Sequence, residues 1–382
     1  MSLYSTIKTA LAPAHLSTKQ LNIKLTDIEQ QAEQIDVEEI VRFVYSGQYG
    51  STTNQHVVDF ERNWSEYNNN SYTVMCNSGT SAYITALQSL SLNRKDTCVV
   101  LQNNSWASVL FATKEFGYTY TFVDTTKYLQ MDIGRLALWL STNASKFKQI
   151  VVVITHILGF TGFYNKLEEL KKQYNLYIIE DCSQAHGAID ITGRKAGGQT
   201  SDAAFWSFYP TKPLGSVVEA GAVSFNNPDY YIKARSYINC GMNGKYSFNS
   251  IGLNLRPSPI AAIALNYKLQ YLDEWNAKRR DIAKQYRKLL KNKNILVYES
   301  SRYPVYHYFP VLVKDRDFIL SKLDKHNIPY NINYPFTLAE LDNTTGYLES
   351  KLQSDRIISL PCHPKMTEEQ IEYICKVINY YT

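Results

Sequence analysis

The sequence predicts an α/β protein with a large domain (residues 1–250) built on a mainly parallel, mixed sheet covered by helices, and a smaller C-terminal α+β domain (residues 251–382). Two observations carry this expectation. Through the first two thirds of the chain, short runs of continuous apolar residues alternate with helix-patterned segments, the signature of strands buried on both faces by crossover helices. From residue 258 the pattern changes to one long helical stretch followed by a few strands and a last helix.

Residues 1–45 read as a leading segment with apolar residues at mixed helical spacing, stopping at Gly47. "HVVDFERNWSEYNN" (56–69) follows as an amphipathic helix with Val57, Phe60 and Trp64 on one side. The strand runs are 72–76, 97–101, 118–124, 149–157, 176–181, 203–208 and 220–225; helix-like segments at 80–90, 107–117 and 164–175 lie between several of them. In the smaller domain a helix is expected over 258–292, strands at 294–299, 304–313 and 356–361, and a closing helix at 367–381.

Composition narrows the function classes. Forty Lys and Arg against 35 Asp and Glu give a formal charge of +5, dispersed apart from short pairs, so no nucleic-acid footprint is expected. No apolar run approaches the roughly 18 residues of a membrane span. The six cysteines show no CxxC spacing and the first residues no signal-peptide pattern, which predicts a reduced, cytoplasmic protein. The seven histidines show no ligand spacing, so no metal is expected.

In open α/β sheets, ligands gather beyond the carboxyl ends of strands, and four pieces fall there. In "CNSGTSA" (76–82) a strand ends, Gly79 turns and a helix begins, so backbone N–H groups with the Ser78 and Thr80 hydroxyls suit a phosphate; taken alone it is an ordinary capped turn. In "IIEDCSQAHGA" (178–188) Glu180 and Asp181 face opposite sides of a strand end, which leaves one carboxylate for a cationic partner, with Gln184 and His186 as further polar contacts; alone it is a helix cap. In "SFYPTKPLG" Lys212 follows a strand, where desolvation makes an amine nucleophilic, and Ser207 precedes it; alone it is a solvated loop lysine. In "NNSWAS" the Trp106 indole has a face to stack on a flat ring, or packs in the core. A phosphate cradle, a stacking aromatic, a carboxylate for a ring nitrogen and a lysine for an aldehyde together describe pyridoxal 5'-phosphate.

With these motifs, and with "SGQYG", "VVDFERNWSEY", "GLNLRPSPIAAIAL" and "IISLPCHPKMTEEQIEYI", the sequence resembles the DegT/DnrJ/EryC1/StrS sugar aminotransferases over nearly its whole length. The resemblance implies an aspartate-aminotransferase-like fold, with Lys212 as the lysine that holds the cofactor and Asp181 as the partner of its ring nitrogen. It implies cofactor contacts from Gly79, Thr80, Ser78, Ser207, Trp106 and Gln184, and Asn254 reaching the phosphate of a partner subunit's cofactor with Arg256 nearby, in a homodimer with shared sites. It places substrate contacts at His186, Tyr209, Arg256 and Asn333. Two departures stand out: "SVVEAGAV" replaces the usual Gly-Glu-Gly-Gly run after the lysine loop, and Asn333 in "INYPF" stands where many relatives have histidine.

The activity implied is transfer of an amine from L-glutamate to a UDP-, dTDP- or GDP-linked 4-keto-6-deoxyhexose, giving a 4-amino-4,6-dideoxy sugar for a glycan. Amination at C3, or a non-catalytic paralogue that binds cofactor or sugar nucleotide, are the alternatives. Sugar 3-dehydration is disfavoured because those relatives carry histidine where this chain has Lys212.

Overall fold

The structure, a computed structural model, describes residues 21–28, 31, 35–161, 164–198, 201–291 and 303–382. Its helices in chain order begin with α1 (Val37–Ser46), α2 (Gln55–Asn68), α3 (Gly79–Ser89), α4 (Ala107–Glu115), α5 (Ile133–Asn143) and α6 (Tyr164–Tyr174). They continue with α7 (Pro228–Tyr237), α8 (Pro259–Leu269), α9 (Leu272–Leu289), α10 (Arg316–Lys325), α11 (Leu338–Leu341), α12 (Leu348–Arg356) and α13 (Glu368–Tyr381). The strands are β1 (Tyr72–Cys76), β2 (Thr97–Gln102), β3 (Thr119–Val123), β4 (Gln149–Thr155), β5 (Tyr177–Asp181), β6 (Ala203–Ser207), β7 (Gly221–Phe225), β8 (Phe309–Leu312) and β9 (Ile357–Leu360).

The large sheet has the order β1-β7-β6-β5-β4-β2-β3. Pairings among β2 to β6 are parallel and β7 runs antiparallel to both neighbours, so the sheet is mixed and mainly parallel, as the alternation of apolar runs predicts. Period-two geometry sends successive residues of each strand to opposite cores. Val99, Leu101, Val151 and Val153 enter the core beneath α3, α4 and α7, while Val100, Val152 and Ile178 pack with Leu136 and Leu140 of α5. Asn54 caps α2 by accepting from the His56 amide, and Val57, Phe60 and Trp64 turn inward as their spacing predicts. α1 stops where Gly47 takes a left-handed conformation at φ 68°.

Several expectations change in the smaller unit. The stretch over 258–292 forms two helices, α8 and α9, separated at Gln270 and Tyr271. α8 joins the large unit's core through Ala261, Ala262 and Leu265, packed with Phe60 and Trp64. The hand-over to the other core falls inside α9, between Trp275 and Ile282, so a division at 250/251 does not coincide with a change of core. The expected strand at 294–299 lies outside the described residues, as does much of the leading segment. The run 304–313 yields only β8, paired antiparallel with β9. Its first half bonds instead to the large unit, the Val305 amide donating to Gly159 O (3.1 Å) and the His307 amide to Leu158 O (3.0 Å). Among the described residues no helix is long and apolar enough to cross a membrane.

Trp64 sits at the centre of an aromatic knot. It stacks on Phe60 and Tyr67 and meets Trp206 and Phe208 edge-on at 5.4 and 5.2 Å. Because this knot backs the strand that leads to Lys212, Trp64→Ala is expected to cost about 3–5 kcal/mol of stability through the cavity it leaves. Urea unfolding followed by circular dichroism measures it.

Candidate active site

A cavity of about 470 Å³ opens at the carboxyl ends of β4, β5 and β6, closed on its far side by residues 307–334 of the smaller unit. Ser78, Gly79, Thr80, Trp106, Asp181, Gln184, Ser207, Tyr209, Lys212 and Asn333 all line it. The motifs that lie far apart in the chain thus converge on one place.

The phosphate-type cradle forms because β1 ends where α3 begins. Ser78 caps α3, its Oγ accepting from the Ser81 amide at 3.1 Å. The first-turn N–H groups have no acceptor within their own helix and carry the positive end of its dipole. A Cβ on Gly79 would lie 2.6 Å from Ser207 Cβ, so only glycine lets β6 bring the Ser207 hydroxyl to the helix start. Gly221 is under the same constraint, since a Cβ there would lie 2.2 Å from Ser78 O.

The two carboxylates at the end of β5 part company, as strand geometry requires. Glu180 turns into the protein, its Oε2 2.8 Å from His156 Nε2 and accepting from the Gly197 amide at 3.0 Å. Asp181 faces the cavity and accepts from the Ser183 amide at 3.0 Å. Burial raises the Asp181 carboxyl above the ordinary range, opposed by the Ser183 bonds and by Lys212. Burial likewise lowers Lys212 to about 8, with Asp181 pulling the other way. An amine in this range is neutral often enough near pH 7–8 to act as nucleophile or base.

The cavity wall contains residues that the sequence did not single out. The exposed Trp106 indole sits 5.4 Å from Tyr334, whose ring stacks on Phe336. Gln184 is engaged at both ends: its Oε1 accepts from the Leu158 amide (2.6 Å) and its Nε2 donates to the Tyr334 hydroxyl (2.7 Å). It therefore ties the two units together as it lines the cavity. His307, Tyr308, Asn331 and Tyr334 also line the wall. The only signal for them was a polar and aromatic mixture in segments that looked like strand or loop.

Three expected site residues lie elsewhere. His186 does not line the cavity: its ring is buried among Trp64 and Phe208, with Nε2 donating to Ser207 O at 3.0 Å, and burial together with nearby Lys212 pushes its pKa down to about 3. The expected substrate contact is thus corrected to a neutral support beneath Ser207. Asn254 and Arg256 lie outside the chain's own cavity, on a segment where Asn254 pairs with Asn239 and Arg256 Nη1 donates to Asn239 Oδ1 (2.9 Å). The adjoining Leu255 carbonyl accepts from the Asn77 amide at 3.0 Å, which anchors this segment to the cradle loop.

The donor set fits pyridoxal phosphate. The helix start with Gly79, Thr80 and Ser207 would take its phosphate, Asp181 its ring nitrogen, Trp106 a ring face and Lys212 its aldehyde.

Comparison with known proteins agrees with this reading. The profile of the DegT/DnrJ/EryC1/StrS aminotransferase family matches residues 29–379. The chain is similar to a dTDP-3-amino-3,6-dideoxy-alpha-D-galactopyranose transaminase of Aneurinibacillus thermoaerophilus, 31% identical, with 96% of this chain and 98% of the relative covered. It is also similar to a dTDP-3-amino-3,4,6-trideoxy-alpha-D-glucose transaminase of Micromonospora megalomicea subsp. nigra, 30% identical, with 92% and 96% covered. Among solved structures, S. venezuelae DesV in complex with a ketimine intermediate superposes with a TM-score of 0.86 at 25% identity, covering 94% of this chain and 97% of that one.

The opposed carboxylate and amine make a testable pair. In the full-length chain before cofactor is added, trace acetylation at Lys212, read by peptide mass spectrometry, is expected to titrate at about 8. Asp181→Asn removes the charge that favours the ammonium form, so the midpoint should move further down.

Proposed function

The chain belongs to the DegT/DnrJ/EryC1/StrS aminotransferase family, and on that premise we propose that it aminates the C3 keto group of a dTDP-linked 3-keto-6-deoxyhexose with L-glutamate as donor. It is a pyridoxal phosphate-dependent sugar aminotransferase. The choice of C3 and dTDP is supported by the two transaminases that match it at 30–31% identity over nearly their whole length, both named for dTDP-3-amino sugars. The 4-keto substrate and the UDP and GDP carriers expected from the sequence become outcomes of the test.

The single observation that carries the reading is the half-buried Lys212 amine facing Asp181 in a cavity that the phosphate-type cradle also lines. When bound, the cofactor supplies an aldehyde for the donor's amine and a ring that withdraws electrons from the donor's α-carbon. Lys212, displaced by the donor, would carry the proton away from that carbon and return one on the acceptor side. Asp181 would keep a proton on the ring nitrogen, which only a negative neighbour favours. His186, neutral and clamped to Ser207 O, keeps the cradle in register with the amine.

The loop that departs from the family pattern remains tied to the end of β6. The Phe208 amide donates to Ala220 O and the Ser216 amide to Phe208 O, each at 2.8 Å, and Glu219 lines the cavity. This supports turnover over a non-catalytic binding role. The proposed homodimer is supported by the segment around Asn254. Tyr246, Phe248 and Ile251, at 79, 61 and 92% exposure, leave an apolar patch there that a second copy would cover while Asn254 reached the second copy's site.

The test incubates purified, cofactor-loaded protein with glutamate and dTDP-, UDP- and GDP-linked 3-keto and 4-keto 6-deoxy sugars. The expected product replaces a carbonyl oxygen by an amine on the dTDP 3-keto sugar, seen by mass spectrometry and located by NMR. Product from a 4-keto sugar alone would move the assignment to C4. No product from any sugar would reject the substrate class. Lys212→Ala should lower turnover by roughly 10²–10⁴-fold, and Asp181→Asn should slow it while leaving the circular dichroism spectrum unchanged.

A further inference from the structure

Lys212 sits on an irregular turn, with neither a helix nor a sheet ladder to hold its backbone. The turn is nonetheless pinned, because three of its carbonyls each accept from a buried side chain out of a different part of the chain. Gln31 Nε2 donates to Lys212 O (3.0 Å), Lys268 Nζ of α8 to Gly215 O (2.7 Å), and His307 Nε2 to Thr211 O (3.0 Å). The Lys212 amide donates to Tyr209 O at 2.9 Å, so both backbone groups of the lysine are taken.

Gln31 does more than the other two. Its Oε1 accepts from the Gly215 amide at 2.9 Å, so a single side-chain amide grips the turn on both sides of Pro213 and Leu214. The second Nε2 hydrogen faces Asp27 Oδ1 at 3.3 Å. That oxygen also takes Arg279 Nη2 at 3.4 Å, and Arg279 Nη1 donates to Cys362 O at 2.7 Å. Gln31 is 1% exposed, and both of its amide hydrogens and its oxygen are used. Gly215 closes the turn tightly, since a Cβ there would lie 2.3 Å from Pro210 O and 3.1 Å from Gln31 Oε1.

We propose that Gln31, held in place by Asp27, is a positioning residue for the Lys212 amine, so that the leading segment forms part of the catalytic apparatus. The inference rests on Lys212 being the reacting amine. Proton transfer at carbon requires the amine within a narrow range of positions, and a displacement of about 1 Å that begins far from the chemistry can cost on the order of 100-fold in rate. A backbone gripped by the Gln31 amide, the Lys268 amine and the His307 ring leaves the four-carbon stem of Lys212 as the part free to move. Burial lowers the Lys212 pKa and Asp181 opposes it, so the midpoint of the amine reports where the turn leaves it.

The experiment uses two full-length variants. Gln31→Leu retains bulk and loses every hydrogen bond; Gln31→Glu keeps the acceptor for Gly215 and loses both donors. Each is read in two ways: the pH midpoint of trace acetylation at Lys212 before cofactor is added, and the single-turnover rate with glutamate after loading, followed by absorbance. In a folded variant the midpoint should move toward the ordinary lysine value and the rate should fall roughly 10- to 100-fold, while half-saturation by glutamate stays within about twofold. A folded variant in which either the midpoint or the rate matches wild type overturns the proposal. So does a loss of folding in both variants, which would make Gln31 a structural residue only. If wild-type protein itself does not react with glutamate, the donor assignment falls, and the acetylation midpoint still decides the role of Gln31.

Discussion

The arrangement of this molecule depends on the placement of one amine opposite one carboxylate, both mostly withdrawn from water. Burial pushes the Lys212 ammonium toward its neutral form and the Asp181 carboxylate toward its protonated form, and each partly restores the charge of the other. Such a balance survives only in a cavity of defined shape, because an extra water beside either group would change its solvation by an amount comparable to the shift itself. The parallel strands deliver the two groups to one edge of the sheet. β7, the reversed strand, brings the chain back beside β1 so that the cradle and the lysine turn share a wall.

Much of this was legible in the sequence, and the reason is local. Strands buried on both faces leave continuous apolar runs, and the positions just beyond them are where a ligand meets backbone N–H groups; Ser78, Gly79, Asp181, Ser207 and Lys212 all follow such runs. Alternation along β5 sends Glu180 and Asp181 to opposite sides, and the fold turns Asp181 to the cavity and Glu180 inward. What stayed hidden depends on contacts between distant segments. His186 looks like a ligand contact in one dimension, and only the fold shows its ring among Trp64 and Phe208 with Nε2 donating to the Ser207 carbonyl. Gln184 looks like a free amide, and its two ends are taken by Leu158 and Tyr334, one from each unit. Gln31 carries no signal at all, because a glutamine in a polar helical stretch is unremarkable until the lysine turn is folded against it.

The long helical pattern over 258–292 also shows where periodicity stops being informative. α8 is apolar nearly all round because it is packed against the large unit, whereas α9 is amphipathic and passes from one core to the other along its length. A continuous helical pattern covers both, although the helix breaks at Gln270 and Tyr271 and the change of core comes only later, inside α9. The same holds for 304–313, where β propensity is present and the backbone bonds of Val305 and His307 go to a loop of the large unit.

The far wall of the cavity is braced from behind. Asn103, at the end of β2, donates through Nδ2 to Ser350 Oγ (2.7 Å) and accepts at Oδ1 from the Ala339 amide (2.8 Å). Asp124 takes the Ser350 and Glu349 amides at 2.9 and 3.1 Å. These bonds hold the segment that runs on from Asn331, Asn333 and Tyr334, yet none of the bracing side chains touches the cavity. The position of that wall is therefore set in part by side chains that the cavity never meets, so a change at Asn103 or Asp124 would act on it from behind.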